Sequence, residues 1–311
     1  MTEKKKILIL GSLGMLGQEL VRVFSDDQKY EVTAWDKENI DLTDFALAEA
    51  RIHEIGPQIV INAVAYNAVD KCETDDMEYQ RALLLNRDIP QFLAELGEKE
   101  GFFLVHYSTD YVFDGALEQN KAETGCCGGG CCGAGSSSQV GYNEEALPNP
   151  INRYGESKYA GERALREQAA NYYLIRLSKL FGRPGKSPEA KRSFFAVMLE
   201  QSLSKDEVQV VDDEKSCFTY APDLAEATKE LVESGDAPGI YHLANEGGAT
   251  WYEAVAELYA FADKETKVIP VGSDTFPRPA KRPSSSVLLN TKRPKLRHYT
   301  EALEEFVNAG L

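Results

Sequence analysis

Residues 6–20, KILILGSLGMLGQEL, constrain the fold more than any other stretch of the chain. A short apolar run passes through Gly11, Gly14 and Gly17 directly into a segment with helical spacing. Such a run reads as a buried strand, so the three glycines form a tight turn at a helix N-terminus. Glycines there admit the close approach of a pyrophosphate. The helix end adds free N–H donors and the positive end of its dipole. Asp36 closes the next strand-like segment, EVTAW, 19 residues after Gly17. A carboxylate at that place can accept hydrogen bonds from an adenosine ribose. The segment therefore predicts a dinucleotide site for NAD or NADP (NADH or NADPH when reduced). Asp36 favours NAD, because a 2′-phosphate would meet its charge. Lys37 beside it can turn toward such a phosphate, and the sequence leaves the choice open.

The alternation continues along the chain. DFALAEARIHEIG and MEYQRALLLNRDIPQFLAELGEKEG have helical spacing, as does YGESKYAGERALREQAA, while QIVINAV, FFLVHYST and NYYLIRLS read as strands. Strands separated by helices of this length predict an α/β fold of Rossmann type, a doubly wound parallel sheet covered on both faces. We expect residues 1–182 to form the NAD(P)-binding domain. Residues 183–311 should form mainly a smaller, partly discontinuous substrate-binding subdomain that returns some segments to the sheet. The proline-rich, basic segment FPRPAKRPSSS is expected to be a surface loop.

Residues of about 117–141 break the rhythm. They are rich in Gly, Cys and Ser and hold Cys126, Cys127, Cys131 and Cys132. We read them as a loop insertion. Adjacent cysteines in one glycine loop lack the spaced pairs that structural zinc prefers, so no metal is assigned.

The net charge of −16 argues against nucleic acid and anionic membranes as partners, but local glycine turns still admit a nucleotide. No run of about 18 apolar residues is present, and the lysine-led N-terminus is followed by no cleavage site. A cytoplasmic location is expected.

A second motif carries chemistry. In INRYGESKYAGE, Tyr154 and Lys158 stand at i and i+4 and share one helix face. A lysine cation, aided by an oxidised nicotinamide ring, favours the phenolate and lowers a tyrosine pKa from its ordinary value of about 10. Such a tyrosine can give a proton to a carbonyl oxygen as hydride reaches the carbon. Ser108, Thr109 and Asp110 follow the fourth strand, where strand ends open onto a ligand crevice. A hydroxyl there can reach both the substrate carbonyl and the tyrosine.

Together, ILGSLGMLGQEL, INAVAYNAVDKCE, YSTDYVFDG, RYGESKYAGE, RLSKLFG, FTYAPDLA, GIYHLANEG and RPSSSVLLNTK resemble the extended short-chain dehydrogenase/reductases, and among them the dTDP-4-dehydrorhamnose reductases. The resemblance spans nearly the whole chain. It implies reduction of the C4 ketone of dTDP-4-dehydro-L-rhamnose by NADPH or NADH, in dTDP-rhamnose biosynthesis. It implies that Gly11, Gly14, Met15, Leu16 and Gly17 lie along the pyrophosphate, and that Asp36, Asp41 and Leu42 hold the adenosine end. Ala65, Tyr66 and Asn67 would line the nicotinamide, with Tyr154 and Lys158 also touching the cofactor. Thr109, Tyr154 and Lys158 would be catalytic, and Val69, Thr109, Asp110 and Tyr154 would meet the sugar.

Members of this family are often homodimers, sometimes with Mg²⁺ at the interface, but no residues here establish a metal. Related dehydratases carry Glu where this chain has Tyr111, which favours reduction over elimination. The chain also departs from the family on the substrate side. Lys179 stands where an aromatic often packs on the sugar, and Ser285 and Leu289 replace an aromatic and an acid. A lysine at 179 can reach a substrate phosphate. The alternatives are a reductase or epimerase of another nucleotide sugar, and a non-catalytic subunit resembling the methionine adenosyltransferase β-subunit.

Overall fold

Ile7, Leu8, Ile9 and Leu10 are all fully buried, and their side chains divide between two separate cores. A strand apolar on both faces must lie inside a sheet with helices on each side. In the computed structural model, which describes residues 3–116, 140–187 and 192–310, that strand is β1 (Lys5–Leu10). The cysteine run at 126–132 lies outside the described residues.

After β1 come α1 (Met15–Ser25), β2 (Tyr30–Trp35), α2 (Phe45–Ile55), β3 (Ile59–Asn62), α3 (Val69–Thr74), α4 (Asp76–Leu83), α5 (Ile89–Glu100) and β4 (Phe103–Thr109). The chain continues with α6 (Arg153–Gln168), β5 (Tyr172–Leu177), β6 (Leu180–Phe181), α7 (Phe194–Gln201), β7 (Glu207–Val211), β8 (Lys215–Ser216), β9 (Thr219–Tyr220) and α8 (Ala221–Ser234). It ends with β10 (Gly239–His242), β11 (Asn245–Glu246), β12 (Ala249–Thr250), α9 (Trp251–Phe261), β13 (Lys267–Val271), β14 (Leu296–His298) and α10 (Tyr299–Asn308).

The main sheet is parallel throughout, in the order β10-β5-β4-β3-β1-β2. Ile7 and Ile9 pack with Leu20 and Phe24 of α1 and Leu224 and Leu231 of α8. Leu8 and Leu10 pack with Ile52 of α2, Leu93 of α5 and Leu165 of α6. The chain leaves β1 toward β2 and returns on the other side at β3, so the order reverses there. The crevice beyond the strand C-termini at such a reversal is the usual ligand site of this architecture.

A further apolar cluster is formed by Phe195 and Met198 of α7, Leu258 of α9 and Phe306 of α10, around Phe181 and Phe218. The short strand pairs β7–β13 and β6–β9 run parallel beside it. No helix among the described residues is long and apolar enough to cross a membrane.

One local expectation is refined and one needs correction. The segment read as helical over residues 77–101 is helical, with a π-helical turn, Leu84–Asp88, between α4 and α5. The segment 276–286, read as a surface loop, is irregular but threads the crevice. Ala280 and Ser286 are buried, as are the following Val287 and Leu288. Its prolines do prevent a regular element, but its serines and arginines find buried or half-buried partners far away in the sequence that a compositional reading cannot foresee.

Candidate active site

The glycine turn is shaped by backbone contacts. Gly11 has φ +76°, a conformation that L side chains rarely adopt. A Cβ at Gly17 would stand 2.0 Å from the carbonyl oxygen of Gly11, so only glycine lets α1 pack this closely against the end of β1. Gly14 is the N-cap of α1 and provides no capping side chain. The first bond into the helix runs from Gln18 N to Gly14 O, 3.1 Å. The amides of Met15, Leu16 and Gly17 thus have no helical carbonyl and face the turn as donors. The side chain of Leu16 is packed in the core, so its backbone is what it offers here. A helix N-terminus without a side-chain cap fits an anionic diphosphate.

Asp36 does more than the sequence suggested. Its Oδ2 accepts from Leu13 N at 2.9 Å, within the glycine turn, and its Oδ1 accepts from Lys37 N at 2.9 Å. It therefore braces the turn from the end of β2, with lone pairs left for hydroxyl donors. Asp41 closes a local turn by accepting from the amide and hydroxyl of Thr43, and these bonds hold its carboxyl below the usual range. Leu42 is buried with Trp35 and Ile40, so its side chain belongs to the core. Only its backbone is left for the adenosine end that the resemblance assigned to it.

Ala65 and Asn67 are exposed after β3, whereas Tyr66 is buried between them. Their backbone is clamped by Asn86, which sequence reasoning missed. Asn86 accepts from Tyr66 N at 2.9 Å and donates to Tyr66 O at 3.0 Å and Ser157 Oγ at 2.9 Å. Asn86 sits on the π-helical turn, and a Cβ at Gly161 of α6 would come within 1.9 Å of its carbonyl oxygen. That mid-helix glycine was the available sequence signal. It lets α6 seat directly against the turn.

The start of α6 is fixed in a similar way. Asn152 caps it, accepting from Gly155 N at 2.8 Å while donating to Lys281 O at 2.8 Å. Gly155 lets the helix meet the backbone of Tyr111, where a Cβ would clash at 2.3 Å. Tyr154 then lies edge-on to the Tyr111 ring, centroids 5.9 Å apart, beside the turn that holds Thr109. Lys158, one turn further, is buried and donates to Tyr107 O at 2.6 Å. Structure thus brings Thr109, Tyr154 and Lys158 together at the end of β4.

The electrostatics correct one expectation. Burial pushes the Tyr154 phenol up, opposed by the Thr109 side chain. The Lys158 ammonium places one of its three donors on the Tyr107 carbonyl and is not among the groups that shift the phenol. Burial depresses Lys158 itself to about 8, while Glu162 raises it.

Asp110 is fully enclosed. Three hydroxyls donate to it, Ser286 at 2.6 Å, Ser178 at 2.8 Å and Thr109 at 3.1 Å. Burial still pushes its carboxyl up, with these bonds and nearby Lys179 opposing. Ser178 and Ser286 were not singled out in advance; 176 residues separate Ser286 from Asp110, and no spacing rule spans that distance.

Lys179 adopts φ +37°, one of two described non-glycine residues at positive φ. Its Nζ lies 3.9 Å from the centre of the Trp251 ring and 4.9 Å from that of Phe218, and donates to Glu214 O at 3.3 Å. Burial lowers it to about 7. Val69 opens α3, beside Asp70, which pairs with both terminal nitrogens of Arg282. Arg278 pairs with Glu214. These two ion pairs fasten the 276–286 segment to α3 and to the chain just before β8.

Comparison with known proteins gives a consistent result. The family model described as the RmlD substrate binding domain matches residues 5–311. A probable dTDP-4,6-dihydroxy-2-methyloxan-3-one 4-ketoreductase of Streptomyces antibioticus is 33% identical, over 96% of this chain and 93% of its own length. The dTDP-4-dehydrorhamnose reductase of Streptomyces griseus is 33% identical, over 96% of this chain and 91% of its own. Among solved structures, dTDP-4-dehydrorhamnose reductase from Bacillus anthracis in complex with NADP superimposes with a TM-score of 0.85 at 28% identity. That match covers 99% of this chain and 100% of the other.

Proposed function

From the premise that this chain belongs to the RmlD substrate-binding family of dTDP-4-dehydrorhamnose reductases, we propose that it reduces the C4 ketone of dTDP-4-dehydro-L-rhamnose to give dTDP-L-rhamnose. It is an NAD(P)-dependent oxidoreductase of dTDP-rhamnose synthesis. One observation carries the reading: Tyr154 stands against Tyr111, two residues past Thr109, while Lys158, one helical turn further on, reaches the Tyr107 carbonyl at the end of β4.

When bound, NAD(P)H supplies the hydride. The amides of Met15, Leu16 and Gly17 and the carboxylate of Asp36 hold its diphosphate and ribose. Ala65 and Asn67 present backbone and side chain at the nicotinamide end. On substrate binding the Thr109 hydroxyl would turn its one proton from Asp110 to the carbonyl oxygen and fix that oxygen against Tyr154. Tyr154 gives that oxygen its proton, and Lys158 stabilises the resulting phenolate. Val69, Asp110 and Lys179 border the sugar. Tyr111 and the thrice-bonded Asp110 provide no free carboxylate base here, which suits ketone reduction better than elimination of water.

Tyr154→Phe tests this directly. Cofactor oxidation with dTDP-4-dehydro-L-rhamnose should fall by on the order of 100- to 10,000-fold, with cofactor affinity kept. An unchanged rate would remove Tyr154 from the mechanism.

A second reading, reduction of a different dTDP-linked keto sugar, is favoured by Lys179. Its ammonium covers the Trp251 face and so changes what the sugar meets. Higher kcat/KM with another keto sugar than with the rhamnose precursor would select it.

A further inference from the structure

Lys158 is surrounded by groups that contribute little charge. From β4, His106 is fully buried; its Nδ1 meets Asn62 Nδ2 at 3.1 Å, and its Nε2 has no partner. Accepting from an amide at Nδ1 makes His106 the neutral tautomer with its proton on Nε2. Burial and the lysine charge itself hold it well below its usual pKa. Tyr107 offers only its carbonyl, since its phenol pairs with Thr228 on the other face of the sheet. From the turn after β4, the Asp110 carboxyl is turned to three hydroxyls and lies near Lys179, and Tyr111 is held neutral by burial. From α3, the buried Cys72 thiol is pushed up to about 11. Asn86, on the π-helical turn, is uncharged.

The exception is Glu162, four residues beyond Lys158 on the same face of α6. It is completely buried. Arg176 of β5, also buried, holds both its oxygens, at 2.9 Å through Nε and 2.6 Å through a terminal nitrogen. The guanidinium is stacked over Phe113, 5.1 Å from the ring centre, and its remaining arm approaches His242 Nε2 at 3.4 Å. His242 is neutral, lowered to about 4 by burial and by Arg176. Glu144 is turned away, accepting from Thr291 and from His242 N.

A buried ion pair of this kind adds little net stability against an apolar replacement of equal volume. Its position therefore asks for another reason. We propose that Glu162 is a positioning residue whose carboxylate, on the same helix face as Lys158, keeps that lysine protonated, and that Arg176 locks the carboxylate in place. The inference rests on the reading that Lys158 serves Tyr154. Glu162 touches neither substrate nor cofactor; it acts through the lysine. Arg176 fixes the carboxylate by holding both its oxygens. Burial would otherwise favour the neutral amine.

The experiment is the pH profile of kcat for four proteins, with cofactor affinity and thermal stability measured alongside. In Glu162→Gln the basic limb should move down by about one pH unit or more, the scale of a lost neighbouring charge, with cofactor affinity unchanged. Glu162→Gln/Arg176→Met removes both charges and restores a neutral interior. It should regain stability but keep the displaced limb. A double variant that folds with the wild-type limb would overturn the proposal and leave Glu162 as a structural pin. Should neither fold, Glu162→Asp retains the charge and the arginine while drawing the carboxylate back. A smaller downward displacement of its limb supports the proposal, and an unmoved limb overturns it. Tyr154→Phe separates the two levels. If it retains the wild-type rate, the underlying reading fails; if it is inactive while every Glu162 variant keeps the wild-type limb, only this inference fails.

Discussion

The turn at residues 11–17 and the segment at 276–286 line one crevice with different materials. The turn is backbone against backbone: Gly17 beneath the Gly11 carbonyl, Gly11 and Ser12 amides on the Trp35 carbonyl, and Asp36 reaching back to Leu13. The segment is held by side chains across long separations: Arg282 to Asp70, 212 residues apart, and Ser286 to Asp110, 176 residues apart. A backbone device can be written in one contiguous motif. A side-chain device leaves only unconnected letters in the sequence. The cofactor end should therefore fail as a unit when one atom is added, and the sugar end should fail by degrees.

The largest effect is expected at the turn. Gly17→Ala puts a methyl 2.0 Å from a backbone oxygen that no side chain can yield to. Overpacking of this kind costs about 3 kcal/mol. Chemical denaturation should show that loss, together with loss of NADPH binding. Near-normal stability would mean that α1 shifts easily, and that the contrast between the two regions is overdrawn.

Lys158→Met comes next and separates stability from activity. The folded-state pKa of Lys158 is about 8, below its ordinary 10.5. Between those values the unfolded chain carries a proton that the folded chain has released. Stability from this group thus rises with pH across that window, and below it the buried cation is a cost of up to about 3 kcal/mol. Methionine should raise the melting temperature at neutral pH while activity falls by on the order of 100-fold. The stability difference from wild type should shrink from about pH 8 to about 10.5. A constant difference would show that the lysine is not the source.

How far the sequence could be read follows the same division. The parallel sheet was legible because Ile7–Leu10, Ile59–Asn62 and Leu104–Tyr107 are short continuous runs whose burial on both faces demands flanking helices. Tyr154 and Lys158 were legible because helical spacing alone puts them on one face. The brace from Asp36 to Leu13 was not, since a carboxylate facing a ribose and one facing an amide look the same in the chain. Asn86 was hidden because its role depends on a π-helical turn, for which residues 84–88 carry no distinctive composition. The segment 276–286 was misread because proline and arginine usually mark solvent, and partners that turn them inward are distant in sequence.

Ser286→Ala probes the sugar end at moderate scale. It leaves Asp110 with two of its three hydroxyl donors. A lost bond to a buried carboxyl costs about 1–3 kcal/mol. On the proposal that Asp110 borders the sugar and not the dinucleotide, KM for the nucleotide sugar should rise several-fold while NADPH affinity stays constant. A matching loss of cofactor affinity would show that the two ends are mechanically one.

The smallest effect is expected from removing residues 122–139, which contain the four clustered cysteines. The flanking chain is pinned without them. The Tyr142 hydroxyl donates to Asp114 Oδ1 at 2.8 Å and accepts from Gly115 N at 3.1 Å, and its ring stacks on Phe113 at 4.1 Å. Asn149 adds a bond to Asp114 Oδ2 at 2.8 Å. The two sides of the excised stretch thus already meet through residues that remain, and loop shortening between fixed ends changes closure entropy by well under about 1 kcal/mol. The shortened protein should keep its melting temperature and kcat, with any change confined to KM. A collapse of kcat in a folded protein would bring the cysteines into the chemistry. Serine at Cys126, Cys127, Cys131 and Cys132 would then identify whether the thiols or the length of the loop was needed.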